Sequence, residues 1–82
     1  MRRFEWTDQA KGELRRIGRE QSMQILLELT RFAETGQGDV KQLQTSDQFR
    51  LRVGDYRVRF KVLDDSALKI VRVRHRKDVY RD

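Results

Sequence analysis

The chain has 82 residues, no cysteine, a single histidine and a formal net charge of +6. No proline-rich or glycine/serine-rich stretch interrupts it, so it is expected to form one domain over residues 1–82 with no linker. Without cysteine and with one histidine it can build neither a disulfide framework nor a zinc site, and no metal or other cofactor is expected.

The opening MRRFEWTDQAKGEL lacks the apolar run of a signal peptide, and no stretch approaches a membrane span. A cytoplasmic protein with no membrane partner is expected. Arg3-Phe4-Glu5-Trp6 alternates polar and apolar, the period of a half-buried strand, and Thr7 with Asp8 supplies helix N-cap chemistry. Ala10, Leu14 and Ile17 then recur at helical spacing, predicting a helix over 8–17 that Gly18 ends. A second helix carries the stripe Ile25, Leu29 and Phe32, widened by Leu26 and Ala33, and Gly36 and Gly38 stop it. The two helices are expected to form an antiparallel hairpin.

After the polar connection GQGDVKQLQTSDQ the period switches from 3.6 to 2. Phe49, Leu51 and Val53 fall on one face of a strand and Arg50 and Arg52 on the other. Gly54-Asp55 suits a two-residue type II′ turn, and Tyr56, Val58, Phe60 and Val62 then alternate with Arg57, Arg59 and Lys61. A third strand is predicted from Ala67 to Val73, apolar on both parities, with Arg72, Arg74 and Arg76 sharing one parity. The expected fold is α+β, in the order β-α-α-β-β-β. The helical hairpin would cover one face of a small, mostly antiparallel sheet, and the other face would stay wet.

Charge is divided unevenly along this order. Residues 1–49 hold eight basic and eight acidic side chains, whereas residues 50–82 hold eight arginines and three lysines against five aspartates. Arginine suits bidentate phosphate contacts, so a polyanion is the expected partner. A two-residue turn at Gly54-Asp55 would set Arg52 opposite Arg57 and Arg50 opposite Arg59. Like charges directly opposite one another are destabilising, by a few tenths to about 1 kcal/mol per pair. That cost is understandable if nucleic acid lies across the face when the protein works.

The ending HRKDVYR adds His75, Arg76, Lys77, Tyr80 and Arg81 to the same half. Tyr80 can stack on a base or pass a proton, or else pack the chain end. Histidine is a common general base, but the parity of His75 opposes Arg74 and Arg76, which favours a structural role.

FRLRVGDYRVRFKVLDD followed by IVRVRHRKDVYR resembles the C-terminal half of the RelE family of type II toxins, within the RelE/ParE superfamily. FEWTDQAKGELRRI resembles that family's opening strand and helix, and DVKQL its approach to the first hairpin strand. The resemblance implies a ribosome-dependent mRNA endonuclease that cleaves A-site codons by attack of a 2′-hydroxyl on phosphate. It implies as catalytic residues Arg50, Arg52, Arg57, Arg76 and Tyr80, with Arg74 a second candidate for the position of Arg76. Arg59, Lys61, Arg72, Arg74, Lys77 and Arg81 would bind RNA around them. Members of the family commonly carry lysines at the positions of Arg50 and Arg52; arginine clamps phosphate but is a poor proton acceptor.

The implied partners are the ribosome, mRNA and a RelB-like acidic antitoxin, with toxin and antitoxin together able to bind operator DNA through the antitoxin. Three alternatives stay open: a ParE-like inhibitor of DNA gyrase, a non-catalytic RNA- or ribosome-binding module, and an inactive toxin kept as a co-repressor.

Overall fold

The computed structural model describes residues 3–44 and 46–79. β1 (Arg3–Trp6) leads into α1 (Asp8–Arg16) and α2 (Arg19–Thr35); β2 (Val40–Gln42), β3 (Gln48–Val53), β4 (Tyr56–Asp64), β5 (Ala67–His75) and a final helical turn, α3 (Arg76–Val79), follow. The strands form one sheet in the order β1-β5-β4-β3-β2. Among the described strands only the β1–β5 pair is parallel. The expected mixed fold and mostly antiparallel sheet are therefore present, with two additions, β2 and α3.

Local chemistry explains the helix ends. Thr7 caps α1, its hydroxyl oxygen accepting from the Ala10 N–H at 3.1 Å while its O–H donates to the Val71 carbonyl at 3.0 Å. The N-cap thus also pins α1 to β5. Gly18 was expected to end the first helix. α1 ends at Arg16 with Ile17 as its C-cap, so Gly18, at φ 91°, follows the helix end as expected and also serves as the N-cap of α2. Gly36 closes α2 in the left-handed conformation, its N–H bonded to the Phe32 carbonyl, as its position in the sequence suggested.

Helix residues Ala10, Ile25 and Leu29 pack with Leu51, Val53, Val58, Phe60, Leu68, Ile70 and Val73 into one buried cluster. Phe60 anchors it, 5.3 Å from the Phe32 ring and 5.6 Å from that of Phe49. These residues define the helix-covered face of the sheet, and the intervening side chains of β3 and β4 define the other.

The Gly54-Asp55 turn governs how those intervening side chains line up. Gly54 has φ 56° and no non-glycine described residue has positive φ, the signature of a type II′ turn. Val53 pairs with Tyr56, Arg52 with Arg57 and Arg50 with Arg59, the register expected from the sequence. Strand β5 runs two residues beyond its expected end, to His75. Its pairing slips between Arg59↔Arg72 and Phe60↔Ile70, leaving Val71 as the extra residue of a bulge. The slip explains why β5 is apolar on both parities: Leu68 and Ile70 before the bulge and Val73 after it reach the same core.

Candidate functional site

Strand pairing assembles the cations into rows across the open face. The row nearest the Gly54-Asp55 turn is Arg52, Arg57 and Arg74; the next is Lys41, Arg50, Arg59 and Arg72, spanning four strands. A third, Gln48, Lys61 and Lys69, ends against Glu5 of β1. Between the first two rows lies a cavity of about 70 Å³ lined by Leu43, Arg50, Arg57, Arg59, Arg72 and Arg74. Five guanidinium side chains from three strands around one small cavity make an anion seat.

The cations differ in how firmly they are held. Arg57 donates through one guanidinium nitrogen to the carbonyls of Gly54 and Tyr56, both at 3.0 Å. Arg74 donates to the Asp78 carbonyl. Arg76 does not continue the strand as its parity predicted: it begins α3, donates its N–H to the Asp55 carbonyl at 2.7 Å, and places Nε 3.6 Å from the Asp55 carboxylate. Of the three arginines expected along β5, Arg72 and Arg74 therefore stay on the strand, while Arg57 and Arg76 are both tied to one turn.

Arg72 is committed elsewhere. Its guanidinium forks onto Glu13 of α1 at 2.9 and 3.2 Å, and Glu13 also accepts the Val73 N–H at 2.9 Å. Both side chains are mostly buried, so this expected RNA ligand anchors α1 to β5. Lys61 lies 3.8 Å from Asp47. By contrast, Lys41, Arg50, Arg52 and Arg59 have no ion pair or side-chain hydrogen bond among the described residues. Arg50 Nε is also a buried donor without a partner there.

His75 faces away from the arginines, as its parity predicted. Its ring stands edge-on to Tyr56 at 5.3 Å, and Nδ1 accepts the Lys77 N–H at 3.2 Å, steadying the start of α3. Lys77 is exposed on that turn. Tyr80 and Arg81 lie outside the described residues.

Three participants escaped the sequence reading. Lys41 sits on a three-residue strand too short to show a period. Lys69 reaches the cationic face only because the bulge at Val71 reverses parity. Glu13 meets Arg72 across 59 residues of sequence, with no local sign.

Residues 4–80 match the family described as ParE toxin of type II toxin-antitoxin system, parDE. The chain belongs to this family, and it is a type II toxin of the RelE/ParE superfamily.

Solved structures of the same fold include the RelB-RelE antitoxin-toxin complex from Methanococcus jannaschii, with TM-score 0.77, 22% identity, and 94% of this chain and 95% of that chain covered. The isolated Escherichia coli RelE toxin gives TM-score 0.77 at 17% identity over 99% of this chain and 98% of that one. YafQ from Escherichia coli gives TM-score 0.70 at 18% identity over 98% and 99%. At such identities the likeness carries the fold alone. No curated protein sequence matches significantly. Among the described residues no helix is long and apolar enough to cross a membrane.

Proposed function

We propose that this toxin is a cytoplasmic, ribosome-dependent mRNA endonuclease. The observation that carries the reading is the five-arginine cavity, set beside a turn that holds Arg57 and Arg76.

In the reaction the 2′-oxygen of one ribose attacks the adjacent phosphorus. The O2′–P bond forms and the P–O5′ bond breaks; the 2′-hydroxyl proton is lost and the departing 5′-oxygen gains one. A 2′,3′-cyclic phosphate and a 5′-hydroxyl remain. Negative charge grows on the phosphoryl oxygens, and donors already fixed in place stabilise it without reorganising. Arg57 and Arg76 fill that role, with Arg74 beside them, and Arg50 and Arg52 clamp the phosphate. Tyr80 stacks on a base or passes a proton. No described side chain at the cavity is a ready proton acceptor, so the free protein cuts slowly and the ribosome supplies substrate alignment. A RelB-like antitoxin, acidic and complementary to the +6 charge, would neutralise the toxin.

The test is primer extension on a defined mRNA in a translating bacterial extract, with and without ribosomes. Cuts within codons that require ribosomes are expected, and Arg57→Ala should slow them by about 10²-fold, the usual effect of losing one charge-stabilising donor. Wild-type rates in Arg57→Ala would overturn the assignment. The family match to ParE favours a second reading, inhibition of DNA gyrase. Loss of gyrase supercoiling activity with no mRNA cutting would establish it instead.

A further inference from the structure

The cations around this face differ in how they are held, and the difference points to separate tasks. Arg57, Arg74 and Arg76 are tethered to backbone or carboxylate around the turn and α3, which suits groups that must be in place as charge develops. Lys41, Arg50 and Arg59 form a row on β2, β3 and β4 with no ion pair among the described residues. No ion pair among the described residues neutralises this row, although it crosses three adjacent strands and carries the cross-strand repulsion that stability alone would remove.

From these observations we infer that Lys41, Arg50 and Arg59 form a phosphate-holding row for single-stranded RNA, flanking the reacting phosphate and reading backbone charge rather than bases. The inference rests on the endonuclease reading for its choice of RNA.

Three features define the ligand. Rows two residues apart on a strand are separated by about 7 Å, comparable to the step between successive phosphates of an extended single strand. Phe49, Tyr56 and Phe60 all point to the helix-covered face, so this face offers no aromatic platform among its described residues on which a base could be read by stacking. Among the described residues the face is built from sheet strands, with α1 and α2 packed on its other side, so neither long helix is placed to enter a duplex groove. The row also has a boundary. Beyond it Lys61 is matched by Asp47, Lys69 lies opposite Glu5, and Gln48 is neutral, so the track stops after the second row. At its other end Arg72 is held by Glu13, which leaves Lys41, on the edge strand, as the outermost cation without an ion pair among the described residues.

The test uses binding, so that it reads independently of cleavage. A fluorescein-labelled 12-nucleotide RNA with 2′-O-methyl sugars, which cannot be cut, is titrated by anisotropy at several salt concentrations. Wild type should bind with a slope of log K against log salt that becomes shallower by about 0.7 in Lys41→Ala and again in Arg59→Ala, one released counterion for each lost contact. Lys41→Arg and Arg59→Lys should keep the wild-type slope. Arg31→Ala, an exposed α2 cation, should leave it unchanged. A Lys41→Ala slope equal to wild type would overturn the proposal, as would a duplex DNA of the same length binding as tightly as the RNA. Absence of mRNA cutting with these slopes intact would sink the endonuclease reading and leave the row standing.

Discussion

Glu13 is the side chain on which the geometry of α1 against β5 depends most. It accepts from Arg72 and from the Val73 N–H while mostly buried. Removing it strands a mostly buried guanidinium and a strand-edge donor together, and breaking one partner of a buried pair is costly even where the intact pair is worth little. Glu13→Ala should destabilise by about 2–3 kcal/mol, lowering the melting temperature by about 10–15 °C. Glu13→Gln, which can still accept from Val73, should lose about half as much. Thermal melts followed by circular dichroism decide it, and a Glu13→Ala protein as stable as wild type would mean that Arg72 finds solvent without cost. Asp64 gives a second, pH-resolved signal. The Ser66 N–H at 2.7 Å and the Ser66 hydroxyl at 2.8 Å donate to its carboxylate and hold its pKa below the ordinary value. A depressed folded-state pKa adds stability that is fully present above the unfolded value, about 3.9. That stability is lost as pH falls through the folded value. Asp64→Asn should therefore flatten the acid limb of the stability curve below about pH 4 and change it little near neutrality, as read by urea unfolding across pH.

At the scale of elements, the β3–β4 hairpin was legible in the sequence and β2 was not, for physical reasons. The hairpin has two long period-2 strands and a glycine at the one turn position that needs positive φ, and these fix both faces and register at once. With the register came the opposed arginines Arg50, Arg52, Arg57 and Arg59. Strand β2 offers only Val40 as an apolar residue in three, so its pairing with β3 is decided by chain geometry and not by a pattern. The same limit hid the bulge at Val71, which alters parity without altering composition, and the turn of Arg76 out of the strand toward Asp55. Gly54 tests how much the hairpin contributes. Alanine at φ 56° would have to hold a positive φ that its Cβ disfavours, at about 1–2 kcal/mol. A Cβ there meets nothing within 4 Å, so the strain is conformational and not steric. Gly54→Ala should therefore destabilise by about 1–2 kcal/mol in urea unfolding. Because Arg57 is bonded to the Gly54 carbonyl, the same change should slow mRNA cutting by more than its stability loss explains. A folded variant cutting at the wild-type rate would show that the turn does not position Arg57.

Over the whole molecule, the arginine rows set ionic strength against stability in an unusual direction. In a chain whose exposed charges are mainly paired, salt screens attraction and lowers the melting temperature. Here the described face stacks Arg52 against Arg57 and Arg74, and Lys41 against Arg50 and Arg59, with acids reaching Arg72, Arg76 and Lys61. Screening should relieve more repulsion than it costs in attraction, because the Glu13–Arg72 pair is mostly buried and responds weakly, while the Asp47 and Asp55 pairs are exposed and worth little at the outset. Raising salt from about 50 mM to about 500 mM should therefore stabilise the protein by about 1 kcal/mol, near 5 °C in melting temperature. An Arg52→Gln/Arg59→Gln protein should be more stable than wild type at low salt and lose most of this response. A melting temperature that falls with salt would mean that the pairs dominate and the rows are already neutralised within the fold. The predicted rise would place the missing counter-charge outside the toxin, on whatever anion covers the face when the protein acts or is held in check.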